Sequence, residues 1–515
     1  MKLRTLRNLL AAMGSSALLT GCMVGPDFVQ PDSHLPEVSF QNQSVKPVVD
    51  SKLPAPTDPM WWRVFRDPVL TKLEEQVAAA NLDVQTATAR LAESRFQRGV
   101  TAAAQFPSLN GDAKYNRELY SQNGIVSLIA PLAGPGFAIS PINEYNTGFD
   151  ASWEIDLWGK VRRQVEAADA SVDQAADQRR DALVSSLAEL ARDYIQLRGV
   201  QTQIKIANDN LKVDRDILSL AQERQQRGLQ NALDVENAAA QVEAVRAQIP
   251  QLQQQESEYI NALSLLLDEP PGALRSTVGE ASVHAGPPRI PLGIPSELAR
   301  RRPDIRSAED QLHAATANIG VAIGDFYPSI QFNGNVGFDS LNISNLYKPS
   351  SLQYTFGPSV TLPIFAGGRL RSTLNLRDAQ QQEAAITYRK TVLQAWHEVV
   401  NALVAHRLEM KRRARLQAQS EHARAALDLA RARYNDGVTE FLTVLDAERT
   451  LLQAQQQYAT STTTVSLDLV QLFKALGGGW ETEFPDVPSE TIAATPVSAH
   501  EIDTPSAPVV QPIAR

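Results

Sequence analysis

The chain of 515 residues has a single cysteine, no basic stripe and no long hydrophobic run. One cysteine cannot pair within the chain, which excludes the disulfide-rich scaffolds of small secreted proteins. No internal run reaches the roughly 18 apolar residues that a membrane-spanning helix needs. The net charge of −9 argues against a nucleic-acid partner. The apolar fraction of 43% is enough to bury a large core.

The familiar catalytic and metal-binding motifs are missing as well. His397-Glu398 begins like the zinc motif HExxH, but the second histidine is absent. The glycine clusters at 134–136 and 477–479 do not stand between a strand and a helix, as a phosphate-binding loop would. We therefore expect neither an enzyme nor a metal site.

Residues 1–21 have the pattern of a secretory leader, with a basic start and a short apolar stretch. The next cysteine completes Leu19-Thr20-Gly21-Cys22, which resembles a bacterial lipobox. We therefore predict a signal peptide over 1–21 and a covalent lipid on Cys22, with no other cofactor. Met23, rather than aspartate, follows the cysteine, which fits sorting to the outer membrane. The alternative is an ordinary leader followed by a chance cysteine.

Proline is concentrated near both ends of the chain. Because proline fixes φ and removes a hydrogen-bond donor, residues 22–59 are predicted to form an extended, lipidated tether. Residues 481–515 hold six prolines among small and polar residues and are predicted to be a disordered tail.

Short motifs in the first half of the remaining chain recur in the second half. Gly159-Lys160-Val161-Arg162 corresponds to Gly368-Arg369-Leu370-Arg371, and Arg227-Gly228-Leu229 corresponds to Asp436-Gly437-Val438. Both pairs have an offset of 209 residues, which is too long for a solenoid of short units. We predict two duplicated repeats, over 60–268 and 269–480.

Each repeat contains two segments in which apolar and polar residues alternate, most clearly from Tyr145 to Leu157. A period of two is typical of a strand with one apolar and one polar face. The predicted strands cover about 107–119, 144–157, 328–340 and 352–365. Their length of about 11–13 residues fits a tilted strand that crosses a bilayer. The alternative, a face of a soluble sandwich, is disfavoured because no further strands are present to build a second sheet.

Long helical segments follow each pair of strands. Residues 160–227 contain no proline and one glycine, and residues 369–436 contain neither. The predicted helices cover about 159–227, 229–268, 368–436 and 439–476. A helix of about 68 residues is roughly 100 Å long. Each repeat is therefore predicted to be a strand hairpin, a long helix, a tight glycine turn and a returning helix.

Four membrane strands cannot close a barrel alone, and open sheet edges are not tolerated in hydrocarbon. Two chains would form an eight-stranded barrel whose interior is filled by side chains. Three chains would form a twelve-stranded barrel with a water-filled lumen. The acidic residues expected to line that lumen are Asp112, Asp150, Glu154, Asp156 and Asp339. The predicted fold class is an α+β membrane protein that assembles from several copies.

These features resemble the TolC/OprM family of outer-membrane factors, specifically its lipoprotein (NodT-type) branch, over about residues 22–480. The resemblance rests on the lipobox with Val24-Gly25-Pro26-Asp27-Phe28, Trp61-Trp62, Phe65, Asp67-Pro68, Leu70, Asn81-Leu82-Asp83, Ser152-Trp153-Glu154-Ile155-Asp156-Leu157-Trp158-Gly159, Arg302-Pro303-Asp304-Ile305 and Leu362-Pro363-Ile364-Phe365-Ala366-Gly367-Gly368.

The resemblance implies a homotrimer in the outer membrane, with a 12-stranded β-barrel continuous with a long α-helical barrel in the periplasm. It implies an outer-membrane channel of a tripartite efflux system that passively conducts small toxic compounds. The implied partners are a periplasmic adaptor (membrane fusion protein) and an inner-membrane pump of RND type. The alternatives are a type I protein-secretion duct and a non-conducting, lipid-anchored structural coiled coil.

The resemblance also implies a periplasmic gate at the helix tips. Leu442 matches the apolar constriction and Asp446 the acidic ring, with Arg449 one turn further on. Tyr434 matches a tyrosine that latches to an aspartate of the neighbouring hairpin, here Asp234. The residues expected to contact the adaptor are Arg227, Gly228, Leu229, Asp436, Gly437 and Val438.

One departure from the family pattern bears on how the gate is held. Thr439 and Thr443 stand where TolC has a latch arginine and a second acidic ring. A leucine gate like that of OprM is therefore expected in place of a salt-bridge latch. The alternatives are ordinary helix packing for Leu442, a solvated tip charge for Asp446 and plain turn chemistry for the tip glycines.

Overall fold

The computed structural model describes residues 23–32, 59–121, 140–228, 231–282 and 301–485. The predicted signal peptide and Cys22 lie outside the described residues, as do most of the predicted tether and most of the predicted tail. In the described part of the chain, no helix combines the length and the apolar character that a membrane crossing requires.

Four antiparallel strands form one sheet in the order β1-β2-β3-β4. The strands are β1 (Ser108–Glu118), β2 (Ile142–Ile155), β3 (Ser329–Ser340) and β4 (Leu352–Thr361). The pairing of β2 with β3, in which Phe149 faces Val336, joins the two repeats. Within the described chain, β1 and β4 each pair on one side only, so both outer edges of the sheet are open.

The strand register gives the sheet one apolar and one polar face. The apolar face carries Leu109, Tyr115, Phe149, Trp153, Phe332, Val336, Tyr354, Phe356 and Val360. Its side chains are well exposed in the single chain, with 76% of Tyr354 accessible. On the opposite face, the Asn110 side chain donates to Asp150 at 3.1 Å, and Asp150 is the partner of Asn335 in the next pair. The alternation predicted from the sequence is confirmed.

Two strands end earlier than predicted. Asp156 lies beyond β2 and accepts hydrogen bonds from the backbone N–H groups of Val161 and Arg162, at 3.1 and 2.9 Å. This carboxylate satisfies free N–H groups at a helix start, so the prediction that Asp156 belongs to the polar strand face is wrong. Strand β4 ends at Thr361 rather than near residue 365, because Pro363 has no N–H to donate to a sheet ladder.

Helices make up most of the described chain. In chain order they are α1 (Pro68–Ala80), α2 (Leu82–Ala103), α3 (Lys160–Gln226), α4 (Ala232–Leu266), α5 (Arg275–Val278), α6 (Pro303–Gly324), α7 (Arg369–Asn435) and α8 (Phe441–Ala475). Helices α3 and α7 have 67 residues each, and α4 and α8 have 35 each. Every boundary of α7 and α8 lies 209 residues after its counterpart in α3 and α4. We call α3 with α4 the first hairpin and α7 with α8 the second hairpin.

The two returning helices begin later than predicted. Helix α4 begins at Ala232, because the Asn231 side chain accepts the N–H of Asp234 at 2.9 Å and caps the helix there. Helix α8 begins at Phe441 rather than at residue 439. Helices α1, α2 and α6, which were not predicted, pack against α3.

The largest buried cluster lies where the middle of α3 meets α1 and the ends of α4 and α8. Trp61 is 3% exposed and stacks on Phe473 of α8, with ring centroids 5.2 Å apart. The Tyr194 hydroxyl donates to Asp67 at 2.7 Å and accepts from Arg198 at 2.7 Å. This cluster joins both hairpins to the N-terminal helices, far from the tips.

Residues 23–32 lie against the sheet-proximal ends of α3 and α6. The fully buried Arg163 side chain donates to Asp27 at 2.6 Å and to the carbonyl of Val24 at 3.2 Å. Phe28 stacks on His313, with ring centroids 4.4 Å apart. The segment that follows Cys22 in the sequence is thus fixed next to the base of the sheet.

Candidate gate at the helical tips

Each hairpin turns at a glycine. Gly228 and Gly437 both have a φ of +74°, a left-handed conformation that glycine adopts without a steric cost. At the second turn, the N–H of Val438 donates to the carbonyl of Arg433 at 2.8 Å, as in a Schellman motif. A Cβ added to either glycine would meet no atom within 4 Å. The two tips therefore present open backbone.

The other predicted tip residues surround these glycines. Arg227 is exposed, and its Nη2 lies 3.9 Å from Oε2 of Glu223. Asp436 and Val438 are also exposed. Leu229 lies outside the described residues. The described tip residues form a surface that another protein can reach.

Leu442 and Asp446 lie one turn apart on the same face of α8. Both are exposed in the single chain, and half of the Leu442 side chain is accessible. The buried side of α8, with Val444 opposite Leu442 and Leu445 on the flank, lies in the cluster that joins the two hairpins. Leu442 is therefore not part of the core of its own chain.

Tyr434 is buried at the end of α7, between the two hairpins. The guanidinium carbon of Arg224, on α3, lies 4.3 Å from the centroid of the Tyr434 ring. Arg224 also donates to the carbonyl of Tyr434 at 3.4 Å. Asp234, the predicted latch partner, lies in the first turn of α4. Arg224 was missed in the sequence, although a basic residue in the last turn of a long helix is a recognised end signal.

Arg449 faces the first hairpin, where its Nε donates to the Gln241 side chain of α4 at 3.0 Å. Nearby, Asp214 of α3 and Glu448 of α8 are both almost fully buried. Burial raises the pKa of Glu448 to about 9, and burial also raises the pKa of Asp214. The sequence had not singled out this pair. The described residues contain no group of three His, Cys, Asp or Glu side chains that could hold a metal ion.

Comparisons with known proteins bear on this arrangement. A model of the outer membrane efflux protein family matches residues 73–268 and 294–478. The "Probable outer membrane lipoprotein SilC" of Salmonella typhimurium is 28% identical over 476 residues, which cover 92% of this chain and 98% of that protein. The "Solvent efflux pump outer membrane protein SrpC" of Pseudomonas putida is 30% identical over 467 residues, which cover 90% and 96%.

A solved structure has the same fold. The outer-membrane channel OprN superposes with a TM-score of 0.80 at 33% identity. The match covers 89% of this chain and 100% of the OprN chain. The sheet, the hairpins and the tips of this chain therefore have counterparts in an outer-membrane channel.

Proposed function

We propose that this chain, which belongs to the outer membrane efflux protein family, is the outer-membrane channel of a tripartite efflux system. Three copies would join their four-stranded sheets into one 12-stranded barrel, with the long hairpins as staves of a tube in the periplasm. A lipid on Cys22 would anchor each copy. The partners would be a periplasmic adaptor and an inner-membrane pump of RND type.

The observation that carries this proposal is the sheet with two different faces and two open edges. In hydrocarbon, unpaired N–H and C=O groups at a sheet edge cost several kcal/mol each, so the edges must pair with other copies. The aromatic face then suits lipid, and the face with Asp150 and Asn335 suits a water-filled lumen. The segment at residues 24–28 supports the lipid anchor, because the buried Arg163 holds it and so fixes the chain after Cys22 at the base of the sheet.

The gate assignment rests on α8. Leu442 and Asp446 share the face that their own chain leaves exposed. Around a three-fold axis, three such leucines would narrow the pore and three carboxylates would select by charge. Arg449 would hold α8 to the first hairpin through Gln241, and Tyr434 would hold α7 to it through Arg224. Asp234, at the start of α4, would be a further latch residue of the closed tip.

The open tips are proposed to receive the adaptor. Gly228 and Gly437 leave space for a second backbone, and the exposed Arg227, Asp436 and Val438 flank them. Leu229 would belong to the same contact. Replacing either tip glycine with a larger residue should weaken binding of the adaptor to the channel. The conductance of the isolated channel should not change.

Planar-bilayer recording of the purified full-length protein tests both the channel and its gate. The double variant Leu442→Ser, Asp446→Ala should show discrete openings at least several times as often as the parent. The matched control is Leu233→Ser, Asn237→Ala, which changes the residues 209 positions earlier in the first hairpin. Equal currents from the gate variant and the parent would remove the gate assignment. A lack of discrete openings in every variant would contradict the channel itself.

A further inference from the structure

Two acidic side chains face each other inside the protein where the two hairpins meet. Asp214 of α3 is 2% exposed and Glu448 of α8 is 1% exposed. Among the described residues, no N–H or hydroxyl group meets their four carboxylate oxygens with good hydrogen-bond geometry. The Gln241 side chain of α4 and the Glu448 carboxyl are nevertheless close enough to Asp214 to lower its pKa, against the larger effect of burial. A buried carboxylate without a partner is costly, so the pair needs a compensating charge or a proton.

Two arginines, from α7 and α8, are the charged groups that act on the pair. On α7, Arg431 approaches Glu448 with 3.9 Å between Nη2 and Oε1, too far for a hydrogen bond. On α8, Arg449 acts on Asp214 at longer range, and its own hydrogen bond goes to Gln241 of α4. Neither arginine therefore donates to a carboxylate oxygen of this pair.

The pair lies close to the candidate gate. Glu448 follows Asp446 by two residues, so the two side chains point to opposite faces of α8. A cavity of about 200 Å³ lies alongside and is lined by Val213, next to Asp214, and by Arg431 and Val444. Neither carboxyl lines the cavity, which lies against Phe441 and Val444 and gives α8 room to shift. Any separation of α8 from α3 would expose Glu448 and move Leu442 with it.

We infer that Asp214 and Glu448 share a proton that ties α8 to α3, and that its loss favours opening of the gate. The proton forms an O–H···O bond from one carboxyl to the other across the two hairpins. When it leaves, two negative charges remain side by side in a dry interior, and separation of the helices relieves both their repulsion and their lost hydration. The inference rests on the proposed channel function and describes the regulation of the same gate.

The direction of the pH effect follows from the buried state. Burial first, and then the neighbouring Asp214, raise the pKa of Glu448 from about 4.5 to about 9, while Arg431 opposes the shift. The closed packing thus holds a proton that hydrated carboxyls would release. Its stabilisation is complete below about pH 4.5 and is lost progressively as the pH rises to about 9. Opening should therefore increase with pH.

Bilayer recording of the full-length protein between pH 6 and pH 9 tests this inference. The parent should show an open fraction at least about tenfold higher at pH 9, since one linked proton changes an equilibrium up to tenfold per pH unit. Glu448→Gln keeps a hydrogen-bond donor for Asp214 but has no carboxyl to ionise, so its open fraction should stay within about twofold. Asp214→Asn should behave in the same way. Glu440→Gln removes the same charge from an exposed position beside α8 and should keep the parent response.

A second readout does not depend on conduction. The thermal unfolding temperature of the detergent-solubilised protein should fall more from pH 6 to pH 9 in the parent and in Glu440→Gln than in Glu448→Gln. Burial also raises the pKa of Asp310 to about 8, and this carboxyl contributes the same fall to all three proteins. An equal pH response in the parent and in Glu448→Gln, by either readout, would overturn the inference. If Leu442→Ser, Asp446→Ala still conducts in that case, the channel stands and only the proton pair fails. If nothing conducts, the channel fails, and the unfolding temperatures still decide the proton pair.

Discussion

The two hairpins have the same lengths and the same glycine turns, but they differ in the residues that they place near the tip. Along α8, Leu442, Asp446 and Glu448 correspond to Leu233, Asn237 and Ala239 of α4, each 209 residues earlier. Helix α4 therefore has no acidic residue at the positions that correspond to Asp446 and Glu448. The two repeats share their backbone and differ in these side chains, which is why the proposed gate lies on the second hairpin.

The largest expected difference between the hairpins is in their packing. Leu445 is 1% exposed in the cluster between the hairpins, whereas its counterpart Glu236 is exposed. Leu445→Ala should lower the free energy of unfolding by about 2–5 kcal/mol, because it leaves a cavity. Glu236→Ala should change it by no more than about 0.5 kcal/mol. Denaturant titration in detergent measures both, and similar losses would show that the hairpins pack alike.

A smaller difference is expected at the other end of the hairpins. Arg163 is buried and holds Asp27, while its counterpart Ser372 is exposed. Arg163→Ala should cost about 1–3 kcal/mol through lost charge-assisted hydrogen bonds and lost packing. It should also increase amide hydrogen exchange in residues 23–32, while Ser372→Ala should leave that exchange unchanged. Unaltered exchange in Arg163→Ala would contradict the role given to this arginine.

The smallest expected losses in the free energy of unfolding come from the tip glycines, and they should be equal in the two hairpins. Gly228 and Gly437 share a φ of +74°, and neither position would bring a Cβ close to another atom. Gly228→Ala and Gly437→Ala should each cost about 1–2 kcal/mol, from the left-handed backbone alone. The denaturant midpoints of the two variants should therefore coincide. Clearly unequal midpoints would mean that the two turns are not equivalent.

The sequence predicts the elements that have a strong period or no interruption. The strands follow from alternation, and α3 and α7 follow from long segments without proline. The shorter helices were not assigned, although Asp67-Pro68 and Arg302-Pro303 are start signals with proline at the first helical position. Asn231 is a comparable signal that would have placed the start of α4.

The proton pair had no sequence signal. Asp214 and Glu448 are 234 residues apart, and each looks like an ordinary charge on a long amphipathic helix. Only the packing of α3 against α8 removes both from water. The same holds for Arg224, whose contact with Tyr434 depends on how two separate hairpins meet. Tertiary contacts between distant segments determine these sites, and local pattern does not reveal them.

One chain supplies four strands, a third of the proposed barrel, and identical copies must supply the rest. Native mass spectrometry of the full-length protein, released from detergent, measures how many copies associate. We expect a single species of three chains that persists when the protein is diluted. A stable, fully folded single chain under the same conditions would contradict it.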